Sequence, residues 1–74
     1  MPGKPSKANR SIERAIDVLL ALAKVEQPVS VLELERLVNL NRPTLYRILH
    51  TLNSRGMVTS SAEPQRFRLG SRAV

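Results

Sequence analysis

The residues best equipped for chemistry in this 74-residue chain are its arginines, and they are concentrated toward one end. Residues 41–74 carry Arg42, Arg47, Arg55, Arg66, Arg68 and Arg72 against the single acid Glu63, a net charge of +5. Residues 1–10 add +3 through Lys4, Lys7 and Arg10. Residues 11–40 are net −2, with Arg14, Lys24 and Arg36 set against Glu13, Asp17, Glu26, Glu33 and Glu35. Guanidinium groups bind oxyanions bidentately and stay charged when partly desolvated, so the chemistry on offer is recognition of phosphate by a surface. An overall charge of +6 points to an acidic partner. The remaining inventory speaks against catalysis. With no cysteine and His50 as the one histidine, there is no thiolate zinc site, disulfide framework, Cys nucleophile or multi-histidine metal centre. No glycine-rich phosphate loop and no nucleophile–base pair at a recognisable spacing is present, so neither an enzyme nor a cofactor is expected.

The elements that must position these arginines follow from apolar spacing. A chain this short holds one core, and burying only roughly 60% of its unfolded surface leaves it modestly stable. Residues 1–9 are polar, basic and broken by Pro2, Gly3 and Pro5, which reads as a flexible basic arm. From Ser11, a candidate N-cap, the residues Ile12, Ala15, Ile16, Leu19, Leu20 and Ala23 recur at helical spacing, predicting a first helix that ends near Val25. Gln27 and Pro28 break it. Ser30-Val31-Leu32-Glu33 has the form of a capping box, opening a second helix with Val31, Leu34, Leu37 and Val38 on one face. Asn39, tolerant of the left-handed conformation, ends that helix. Leu45, Ile48, Leu49 and Leu52 then mark a third helix over residues 43–55, with Pro43 at its first position, Arg42 extended before it and Gly56 closing it. Met57 to Thr59 reads as a short strand, Ser60 to Gln65 as a loop, and Arg66 to Leu69 as a second strand with Phe67 and Leu69 inward.

This order predicts a mainly α fold with a small β-hairpin wing: a three-helix winged helix-turn-helix over residues 10–70. With Leu45, Ile48, Leu49 and Leu52 committed to the core, about 100° per residue puts Pro43, Arg47, His50 and Ser54 on the opposite side of the third helix. Tyr46, Thr44 and Thr51 flank them, and no acid interrupts the face. Donors and small polar groups near a helix N-terminus suit the edges of base pairs in a DNA major groove.

The run from Ser11 to Gly70 resembles the N-terminal DNA-binding domain of IclR-type transcriptional regulators. The matching stretches are Ser11-Ile12-Glu13-Arg14-Ala15, Leu32-Glu33-Leu34, the run Asn39-Leu40-Asn41-Arg42-Pro43-Thr44 continuing through Tyr46, Arg47, Leu49 and Leu52, then Gly56-Met57-Val58 and Phe67-Arg68-Leu69-Gly70. The resemblance implies a dimeric bacterial or archaeal repressor or activator that binds a palindromic operator in double-stranded DNA. It also implies a C-terminal domain sensing a small-molecule effector; no such domain lies within these residues, and residues 71–74 read as the start of a linker toward it. Carried over by position, the base-contacting residues are Pro43, Thr44, Tyr46 and Arg47, with Arg66 and Arg68 on the wing. Asn39 stands where the family usually has glycine, and Pro43 where a small hydroxyl residue is common; Pro43 has no hydrogen bond to offer there.

Each assignment has a plainer rival. Arg47 is either a reader of guanine or a solvated arginine, and Tyr46 either packs at the core edge or reaches DNA. Thr44 caps the helix or meets a thymine methyl. Phosphate contact is expected of Arg42, His50, Arg55, Arg66 and Arg68, against turn, solvent-facing or edge-strand roles. Ser30 caps the second helix and stands where helix amides can meet phosphate. The arm is a minor-groove strand or a solvated tail. Leu20, Leu22 and Val25 exceed what a three-helix core needs, and the resemblance implies that the first helix helps pair two subunits, so a homodimer surface is expected there, with ordinary core as the rival. The competing function is a winged-helix module that holds a protein partner, which would carry acids on the third helix or a larger apolar patch. Membrane binding by the arm lacks an apolar anchor. The longest apolar run, Val18 to Ala23, is far short of a span, and no secretory signal is recognisable, so a cytoplasmic protein is expected.

Overall fold

The computed structural model describes residues 9–73, so the basic arm at 1–8 and Val74 lie outside the described residues. Among the described residues, three helices, α1 (Arg10–Lys24), α2 (Val31–Val38) and α3 (Arg42–Ser54), precede two strands, β1 (Val58–Ala62) and β2 (Gln65–Leu69), and a 3-10 turn at Ser71–Ala73. The strands pair antiparallel, from Val58 opposite Leu69 to Ala62 opposite Gln65, so Glu63 and Pro64 alone make the turn. The hairpin is tied to the helices by a bridge in which Val29 and Phe67 exchange both backbone hydrogen bonds, 2.9 and 2.7 Å. This is a winged helix-turn-helix, the architecture the sequence predicts.

The core is one cluster: Val18 and Leu22 from α1, Val29, Leu34 from α2, Leu45 and Leu49 from α3, and Val58 and Phe67 from the wing. No polar or charged residue is buried with them among the described residues. No described helix is long and apolar enough to cross a membrane.

Four local features depart from the sequence reading. The N-cap of α1 is Asn9, whose Oδ1 accepts the Ile12 N–H at 3.2 Å, and Ser11 already lies within the helix. An Asn carbonyl reaches the third amide as well as a hydroxyl does, and the earlier cap adds Arg10 to the helix. Arg42 opens α3 in helical conformation, with Asn41 as its cap and Pro43 in second position. A proline anywhere in the first turn forfeits no helical hydrogen bond, so the stronger cap decides the start. The first strand runs on to Ala62, through serines whose type suggested a loop.

The fourth departure concerns α1. Its apolar residues span well over half the circumference at about 100° per residue, so periodicity alone does not select the buried stripe. Packing against α2, α3 and β2 buries Val18 and Leu22 and leaves Ile12, Ile16 and Leu20 exposed at 57%, 48% and 55%. Leu22, assigned by sequence to a dimer surface, is therefore a core residue.

The end of the wing returns to the end of α3. Gly56 adopts φ 78°, Gly70 N–H donates to Met57 O at 2.8 Å, and a Cβ on Gly70 would stand 2.3 Å from the Gly56 carbonyl oxygen. Backbone cannot swing aside as a side chain can. Gly70→Ala is expected to cost about 1–3 kcal/mol of stability, readable as a lowered midpoint in urea unfolding followed by circular dichroism; an unchanged midpoint would show that the two segments separate freely.

Candidate nucleic-acid interface

The helix pair is built from local signals. Ser30 Oγ accepts the Glu33 N–H at 3.2 Å while Glu33 Oε1 accepts the Ser30 N–H at 2.9 Å, a complete capping box. At the other end of α2, Asn39 takes φ 54° and ψ 45°, and its N–H donates to Glu35 O. Asparagine is among the few residues besides glycine that enter this conformation readily. Leu40 and Asn41 complete the turn, and Asn41 Oδ1 accepts the Thr44 N–H at 3.0 Å to start α3.

Leu45 and Leu49 fix the roll of α3 by their burial, with Ile48 and Leu52 half-buried beside them. Arg42, Pro43, Tyr46, Arg47, His50 and Ser54 are exposed as one continuous face, and Thr44 is half-buried at its edge. Tyr46 is 41% exposed, so its ring stands out from the core edge. The face carries no acidic residue. On one side it borders a groove of about 450 Å³ in which Arg47, Thr44 and Thr51 face Arg14 and Ile12 of α1. Arg14 carries no site assignment in the sequence reading, because on its own helix it is one of several scattered charges.

On the wing, cross-strand partners share a face, so the pairing of Thr59 with Arg68 and Ser61 with Arg66 makes an outward surface of two arginines and two hydroxyls. Ser61 escapes notice in the sequence because it falls in the expected loop, and Thr59, within the expected strand, gains its place only from the pairing with Arg68. Asn53 Nδ2 donates to Ser60 Oγ at 3.2 Å and links the end of α3 to this strand.

Two acids of α2 hold two of the arginines. Glu35 pairs with Arg42 across the turn, and Glu33 Oε1 accepts a 3.3 Å hydrogen bond from Arg66 of the wing. Arg47, Arg55 and Arg68 have no acidic partner among the described residues. The Ser30 hydroxyl is engaged within its own cap, where it also approaches Glu33 Oε1 at 3.3 Å. Leu20 and Val25, with Leu37, line a separate groove between α1 and α2, away from the α3 face. Among the described residues no group of three metal-ligating side chains occurs.

The capping box and the ion pair across the turn shift these two acids. The Glu33 carboxyl is held below its ordinary value of 4.5 chiefly by the Ser30 N–H, and that of Glu35 chiefly by the Arg42 guanidinium, which is itself raised. A carboxyl whose pKa is lower folded than unfolded stabilises the fold above its unfolded pKa, and that contribution disappears as the pH falls through the folded one. Stability should therefore decline as the pH falls through and below the ordinary carboxyl value of 4.5, and a Glu33→Gln/Glu35→Gln variant should decline less over the same fall. Equal declines in the two proteins, measured by thermal unfolding, would remove these carboxylates as the cause.

Comparison with known proteins agrees with this geometry. HTH-type transcriptional regulator XynR of Escherichia coli (strain K12) is 28% identical over 65 residues, covering 88% of this chain and 26% of XynR. The crystal structure of Pseudomonas aeruginosa HmgR superposes with a TM-score of 0.81 at 29% identity, covering 88% of this chain and 27% of that one. The chain thus spans about a quarter of the length of these relatives. Residues 11–62 match the family described as the IclR helix-turn-helix domain. That match runs through α1, the turn and α3 into the first strand of the wing, and with it the chain belongs to the IclR helix-turn-helix family, a DNA-binding regulator domain and not an enzyme class.

Proposed function

We propose that this domain reads a palindromic operator as one arm of a homodimeric transcriptional regulator in the cytoplasm, with α3 in the major groove and the wing on the backbone or in the minor groove. The observation that carries the reading is the exposed, acid-free face of α3 with Arg47 at its middle. Thr44, Tyr46 and Arg47 read base edges, and Pro43 packs against them without donating. Arg42, Arg55, Arg66 and Arg68 neutralise phosphates, which supplies most of the affinity and its salt dependence, and His50 contacts a phosphate without adding to that charge. Ser30 serves as the cap that holds α2 in place behind them. Leu20 and Val25 belong to the surface that meets the second subunit. A small-molecule effector acts on a further domain of the full-length regulator.

Selection of this chain on a randomised duplex pool at low and near-physiological salt tests the reading. An enriched inverted repeat with half-sites about one helical turn apart is the expected outcome. Failure to retain DNA at low salt would overturn it in favour of a winged-helix module that binds protein.

A further inference from the structure

The pair across the helix turn has an unusual place for an acid. Glu35 lies in α2 on the side that meets α3, its side chain only 22% exposed, whereas Arg42, the first residue of α3, is 54% exposed. The carboxylate takes one edge of the guanidinium: Arg42 Nε donates to Oε2, and Nη2 approaches Oε1 at 3.4 Å. A guanidinium has five N–H donors in a rigid plane, so the opposite edge keeps its donors. Tyr46, one turn further along α3, lies on the same side as Arg42.

By charge counting, an acid beside a DNA-binding face repels phosphate and should weaken binding. The geometry points the other way, because an arginine held along one edge presents the other in a fixed direction and loses little rotamer freedom when it meets an oxyanion. We propose that Glu35 is a positioning residue for DNA binding, holding Arg42 across the turn so that its free guanidinium edge meets a backbone phosphate. The inference rests on the operator-reading function proposed above. Glu35 itself touches no DNA.

The test measures binding of the chain to its selected operator by fluorescence anisotropy across a salt series, for wild type, Glu35→Gln, Arg42→Ala and the double variant. Glu35→Gln is expected to weaken binding about 3- to 10-fold although it removes a negative charge, and to have no further effect once Arg42 is alanine, a coupling within the usual range for contacting residues. It is also expected to lower the slope of log K against log salt by up to about 0.9, the share of one phosphate contact. A role confined to stability would leave that slope unchanged, and unfolding midpoints of all four proteins show whether each is folded at the assay temperature. If wild type binds and Glu35→Gln binds equally or more tightly, or with an unchanged salt slope, the positioning role is overturned while operator reading stands. If wild type binds no duplex, operator reading falls and the positioning role with it.

Discussion

Replacement of Leu45 by alanine is expected to cost about 2–5 kcal/mol of stability, the range for removing a buried leucine and leaving a cavity. Leu45 has no solvent exposure and sits in the first turns of α3, in one cluster with Leu34 of α2 and Leu49. Stabilities of about 0.05–0.15 kcal/mol per residue leave a domain this small little to lose, so the variant is expected to be largely unfolded at physiological temperature. Its companion is Leu20→Ala, at a position 55% exposed, where a change within about 0.5 kcal/mol is expected. Urea unfolding at low protein concentration compares the two. Similar losses at both positions would mean that the core has been misplaced.

The second large effect concerns specificity. Arg47 is exposed, free of acidic partners among the described residues, and near the middle of the face that α3 offers. Bidentate contact with a guanine is worth about 1–3 kcal/mol of discrimination, or about 5- to 150-fold. Arg47→Ala is therefore expected to flatten the preference at one position of each half-site while the remaining positions keep theirs. Arg68→Ala on the wing should instead weaken all sequences alike and lower the salt slope by about 0.9. Repeating the duplex selection with both variants separates the roles. An unchanged motif after Arg47→Ala would place base reading elsewhere on the face, with Tyr46 and Thr44 next in line.

How legible this domain is depends on how local each determinant is. The capping box at Ser30, the left-handed Asn39 and the apolar spacing of α3 act within a few residues of chain, and each stands in the structure as the sequence predicts. The exposed face of α3 follows from the same spacing, since committing Leu45 and Leu49 to the core fixes where Tyr46, Arg47 and His50 point. Errors of a residue or two arise where neighbouring candidates compete for one role, as Asn9 with Ser11 and Asn41 with Arg42. The sequence predicts too short a wing because serines have little strand preference, and the pairing that holds them is supplied by the opposite strand.

The amino-acid sequence by itself determined the order of elements, the turn between α2 and α3, the face of α3 left free and the polarity of charge, because these depend on short-range geometry and on counting. Tertiary structure alone decided which stripe of α1 is buried, since the apolar residues of that helix span well over half its circumference and only its neighbours select Val18 and Leu22 over Ile16 and Leu20. It also decided the state of the arginines. Glu35 with Arg42 and Glu33 with Arg66 are pairs between different elements, the second separated by 33 residues, and no spacing rule within one helix or strand brings them together. Side chains far apart in the chain become partners only after burial of the shared core has fixed the distance between the elements that carry them.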